Sequence, residues 1–101
     1  MRLSDAIRLG ALLRPQAFNS FKGAGSCVLR AAAEAVGIED TRDSVLNYAE
    51  LWSRFPLLQQ RSPWCPACDC GEPELMSLLY HLNDRHRWTR GRIADWVATL
   101  E

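Results

Sequence analysis

Apolar residues recur at helical spacing through most of this chain. The clearest run is Leu75, Leu78, Leu79 and Leu82, spaced i, i+3, i+4 and i+7. That spacing predicts a helix with one buried face. Pro73 suits a first helical turn, so this helix is expected from Pro73 to about Asn83. Ile93, Trp96, Val97 and Leu100 repeat the pattern, with Thr89 placed to cap a last helix. Trp88 is expected to join them in packing that helix onto its predecessor and the N-terminal helices. Near the start, Ala6, Leu9 and Leu13, with Leu12 beside them, predict a helix from Leu3 to Arg14. Ser4 would cap it, Asp5 would suit its first turn and Pro15 would stop it. A second helix is expected from Cys27 to Val36, with Ser26 as N-cap and Gly37 as the C′ residue. Its alanines favour helix and allow close approach. A third should run from about Asp43 to Phe55 and end before Pro56. Val45, Tyr48, Ala49 and Trp52 form its stripe, the signature of a buried face rather than a ligand platform. Pro15 to Gly25 reads as loop, with Phe18 and Phe21 folding back onto the core. No convincing strand, repeat or low-complexity tract stands out. The expected fold is all-α, about five short helices in a single domain over residues 1–101. Residues 1–60 form its helical N-terminal part and 61–101 a metal-binding C-terminal part.

The chemistry is concentrated in that second part. Cys65 and Cys68 share one tight turn, and His81 and His86 follow in the order C-x2-C-x12-H-x4-H. This is the ligand set and spacing of a Cys2His2 zinc site. The chain has 2 histidines in all, and both fall within the pattern. Two thiolates neutralise a zinc ion, and four protein ligands leave no open position, so the metal would be structural. One point resists simple geometry. Five residues on an ideal helix leave His81 and His86 about 140° apart. The imidazoles converge only if the helix tightens or ends near Asn83-Asp84, both of which tolerate non-helical geometry. Cys70 makes the cluster C-x2-C-x-C and is an alternative ligand that could replace a histidine. Cys27, among Val28, Leu29 and alanines, reads as a small buried hydrophobe.

Residues 64–87 resemble a Cys2His2 zinc finger, and Leu78 stands where a finger has its leucine before the first histidine. Position 72, where a finger has an aromatic, is Glu72, and no finger-type linker follows His86. The segment His81 to Arg90, running into Ile93 to Val97, is also similar to the C-terminal part of small bacterial and phage proteins, a resemblance that implies no activity.

Charge narrows the functional classes. The chain has 12 basic and 12 acidic residues, without the basic excess usual in proteins that live on phosphate backbones. The base-reading positions of a finger would be Glu74, Ser77 and Tyr80, which lack the bidentate donors that read guanine or adenine. Arg85, Arg87, Arg90 and Arg92 form the better candidate phosphate surface, with a solvated face partnered by Asp84 and Asp95 as the simpler reading. If both histidines hold metal, none remains as a general base, and no nucleophile set or nucleotide loop stands out. Gly23-Ala24-Gly25-Ser26 lacks the ending and preceding strand of a phosphate loop. No apolar leader or membrane-length segment is evident, so the expected setting is the cytoplasm, where thiols stay reduced. The expectation is therefore a zinc-binding protein-interaction or adaptor module that is not an enzyme. Its partner would be another protein, with weak or no nucleic-acid binding and no membrane. The alternative is a small nucleic-acid-binding regulator of phage or bacterial origin using the four arginines.

Overall fold

A computed structural model describes residues 1–18, 25–38, 44–68 and 70–101. The expectations for Phe21, for Gly23-Ala24, for the start at Asp43 and for the Val45 side chain lie outside the described residues. Among these residues five α-helices follow one another: α1 (Leu3–Ala11), α2 (Val28–Ala35), α3 (Ser44–Arg54), α4 (Leu75–Tyr80) and α5 (Arg90–Ala98). A 3-10 turn, Pro56–Gln59, follows α3, and a π-helical turn, His81–Arg85, continues α4. Among the described residues there is no strand, only isolated bridges between Gln16 and Ser26 and between Arg61 and Glu74. The all-α expectation therefore holds. Among the described residues no helix is long and apolar enough to cross a membrane.

The face that α1 buries is not the one its leucines suggest. Leu3, Ala6, Ile7 and Gly10 point inward, whereas Leu9, Leu12 and Leu13 are 44%, 82% and 57% exposed. The reason lies in how closely α1 approaches α2. A Cβ on Gly10 would stand 1.8 Å from the carbonyl oxygen of Ala31. Small side chains at Ala6, Gly10, Ala31 and Ala32 let the two backbones meet, and the larger leucines are turned to the other side. Helix α5 packs on α1 from another direction.

Several end signals act differently from their expected roles. Ser4 lies inside α1 rather than capping it. The Glu101 carboxylate caps that end, accepting from Ser4 N at 3.0 Å and Ser4 Oγ at 2.6 Å. A negative group there also suits the helix dipole. At α2 the cap is Cys27, whose Sγ accepts from Arg30 N at 3.5 Å. Ser26, the expected cap, is one residue too early, and its Oγ accepts from Arg90 Nη1 at 2.7 Å. Gly37 does stop α2, at φ 76°. Ile38 N donates to Ala33 O and Gly37 N to Glu34 O, the paired bonds of a Schellman ending. The start of α4 shifts from Pro73 to Leu75 because Glu74 is extended and bridges Arg61, while Leu75 N donates to Gln60 O.

The stripe Leu75, Leu78, Leu79 and Leu82 is fully buried, as are Ile93 and Val97. Trp88, Trp96 and Leu100 pack on the core from half-buried positions. Among the described side chains of α3, Leu51 is buried and Ala49 is exposed, and Phe55, just past the helix, is buried as well. Tyr48 and Trp52 are half-buried and stack on each other, with ring centroids 6.1 Å apart.

Candidate metal centre

The helix that carries the histidines neither tightens nor ends between them; it widens. Residues His81–Arg85 form a π-helical turn, and His86 N donates to His81 O at 3.3 Å. An i→i+5 bond places residues five apart above one another. His81 and His86 thus come to one face, with ring centroids 4.7 Å apart. The expectation of tightening is corrected: the extra residue per turn, not a loss of one, brings the imidazoles together.

Asn83 anchors this turn to the N-terminal segments. It is fully buried, and its amide is bonded on both sides. Oδ1 accepts from Gln16 Nε2 at 2.9 Å and from Val28 N at 3.2 Å. Nδ2 donates to Ala17 O at 2.9 Å and to Asp84 Oδ1 at 2.7 Å. Arg87 ends the turn in the left-handed region, at φ 53°, and Trp88 N closes onto Leu82 O at 3.1 Å.

The Cys65–Cys68 turn faces that histidine pair. The ligand atoms of Cys65, Cys68, His81 and His86 all lie within 4.8 Å of one another. Cys68 Sγ is 3.4 Å from His81 Nε2, and the two Nε2 atoms are 3.0 Å apart. A tetrahedral zinc with ordinary Zn–N and Zn–S bonds separates nitrogens by about 3.3 Å and sulfurs by about 3.8 Å. The cluster is therefore already near the size a metal requires. Cys65 is buried, and Cys68, His81 and His86 are half-buried. Ala67 N donates to Cys65 Sγ at 3.4 Å, which holds the sulfur within the turn.

Cys70 is exposed and stands beside the four rather than among them. Cys65 N donates to its carbonyl at 3.1 Å, which closes the turn. Hydrogen bonds from Cys70, with a further one from His86, pull the Cys68 thiol down to about 7, while the same pairing pushes Cys70 up. Of this adjacent pair, Cys68 carries the thiolate character. Cys27 is remote from the site in sequence, and burial raises its thiol pKa, which suits an inert cap.

The four arginines separate into different roles. Arg90 is buried, and its guanidinium donates to Ser26 Oγ at 2.7 Å, Arg14 O at 2.6 Å and Ala11 O at 3.3 Å. Burial lowers its pKa, and three neutral oxygens from two segments hold it. It ties α5 to the end of α1 and the start of α2. Arg92 lies over the Trp88 ring at 3.8 Å and Arg87 over Phe18 at 4.8 Å. Arg85 is exposed beside a groove shared with Glu72, Ser77, Tyr80, His81 and Asp84. Asp95 pairs with Arg8 at 2.9 Å, and Asp84 with Asn83. Of the three finger reading positions, Tyr80 is half-buried with its hydroxyl 3.4 Å from that of Tyr48, and Glu74 bridges Arg61.

Sequence reasoning missed Asn83 and Arg90 as structural hubs. Apart from Asp84, their partners lie 55 to 79 residues away along the chain, so no local pattern announces them. Compared with protein-family models, curated proteins and solved structures, the chain matches none. The reading of the site rests on its geometry.

Proposed function

We propose that this is a small zinc-binding module in which the metal is structural and the surface serves to bind another protein. One observation carries the zinc reading: four soft or borderline ligand atoms within 4.8 Å, two from a turn and two from a π-helical turn. Two thiolates with two imidazoles select zinc over harder cations. Four protein ligands complete a tetrahedron, which makes the ion a clamp rather than a reaction centre.

Three features favour an interaction role. Charge is balanced, the helix of the site spends its side chains on the core, and apolar residues Leu12 and Trp64 are 82% and 73% exposed. The nucleic-acid reading loses support because Arg90, one of its four arginines, is buried and fully engaged. Committing both histidines of the chain to metal leaves none for proton transfer, which favours a non-enzymatic role.

The test has two arms. Elemental analysis of protein purified without added metal should give about one zinc per chain, and chelation should lower its melting temperature. Full stability without metal removes the structural role. Affinity capture from the native host should return a defined protein partner, and Leu12→Ser with Trp64→Ser should weaken that capture. A selected duplex sequence bound with high affinity at physiological salt would favour the regulator instead.

A further inference from the structure

His81 turns Nε2 toward Cys68 and His86, which leaves Nδ1 on the opposite edge of the ring. Glu72 Oε1 stands 3.8 Å from that Nδ1. The histidine side chain is 11% exposed and the carboxylate 28%, so the pair is partly withdrawn from water. Glu72 belongs to the loop between the cysteine turn and α4, and it lines the same groove as His81.

We propose that Glu72 is the outer carboxylate of the metal centre, accepting the Nδ1–H of His81. The proposal rests on the zinc-site reading above. A ligating imidazole needs its lone pair on the metal-facing nitrogen, so its proton must sit on the other one. A carboxylate at that position fixes this tautomer, holds the ring plane and makes the ligand more basic. Glu72 cannot be a fifth ligand from where it stands, because the imidazole lies between it and the cluster. The separation is slightly longer than a hydrogen bond, and a small side-chain adjustment on metal binding closes it. The arrangement also explains why the finger resemblance breaks at this position. A finger uses an aromatic there to fill its core, whereas Leu75, Leu78, Leu79 and Leu82 already fill this one. The position is free to serve the metal instead.

The experiment is zinc affinity measured by competition with a chromogenic chelator, together with long-range proton–nitrogen NMR of the histidine rings in the zinc-loaded protein. Glu72→Ala should weaken zinc binding by about 10–100-fold, the usual cost of losing such a partner. Glu72→Gln keeps an acceptor oxygen and should recover part of the loss. The His81 Nδ1–H signal should be protected from exchange in the parent protein and in Glu72→Gln, and lost in Glu72→Ala. The His86 ring should be unaffected throughout. A Glu72→Ala protein that binds zinc as tightly as the parent overturns the role of Glu72 and leaves the zinc site standing. So does an unchanged His81 Nδ1–H signal. A parent protein that takes up no zinc overturns the site itself and this proposal with it.

Discussion

The two ends of this molecule are held together by different physics. On one side α1, α2 and α5 meet through close-packed small residues, a buried arginine and a carboxylate cap. On the other, the cysteine turn meets the histidine pair through ligand atoms that lie within 4.8 Å of one another. Cys65 is its buried residue, while Trp64, Pro66, Ala67 and Cys70 are exposed. A segment that buries so little cannot offset the entropy of being ordered without another source of free energy. Four converging ligand atoms supply a place for one. The side built by α1, α2 and α5 is thus expected to persist without metal and the cysteine turn to depend on it.

Breaking the metal side should have the largest effect. Cys65→Ser should abolish zinc binding and release the 61–70 segment, because the apparent binding energy of such sites is about 10–16 kcal/mol. Cys27→Ser and Cys70→Ser should keep the metal, as elemental analysis of each variant would show. If Cys70→Ser loses zinc while His86→Ala retains it, the ligand set is Cys3His and the comparison must be redrawn around Cys70.

Arg90→Met tests the other side. It leaves Ala11 O, Arg14 O and Ser26 Oγ without their donor, a cost of about 3 kcal/mol in urea unfolding. Arg90→Lys should recover little, since one ammonium cannot reach all three acceptors as the guanidinium fork does. Zinc content should stay unchanged in both.

Gly10→Ala should cost about 2 kcal/mol. Overpacking against Ala31 O outweighs the helix propensity that alanine gains. Gly91→Ala, where an added Cβ meets nothing, is the control and should be neutral or slightly stabilising. If both behave alike, the close crossing of α1 and α2 is not what holds that side.

Trp96→Ala should cost about 1–2 kcal/mol, less than a fully buried aromatic, because Trp96 packs on the core from a half-buried position. A null effect would release Trp96 as a partner-binding residue.

The smallest expected effect is alkaline. Burial raises the Cys27 thiol above its ordinary value of 9.0 and also raises Tyr80. A raised acid favours the folded state while it stays protonated. Its stabilisation is complete below the unfolded pKa and falls as pH rises through the folded one. Stability should therefore decline above about pH 9, and Cys27→Ser should flatten the onset. No dependence on Cys27 there would mean that the thiol is not sheltered.

The sequence by itself determined the helices, the buried leucine face of α4 and the four residues that could hold a metal. Those properties are local: periodicity, a tight cysteine turn and a rare pair of histidines are visible within a few turns of chain. It also carried the αL stop at Gly37 and the cap at Thr89, whose Oγ1 accepts from Arg92 N at 3.1 Å. Tertiary structure decided which face of α1 is buried, because two backbones can meet at Gly10 and Ala31 but not across leucines. It decided the roles of Ser4, Ser26 and Arg90, whose partners are distant in the chain. Above all it decided how the histidines converge. Helical periodicity assumes one turn geometry, and His81 and His86 meet in a wider one, whose Asn83 is bonded to Gln16, Ala17 and Val28 far along the chain.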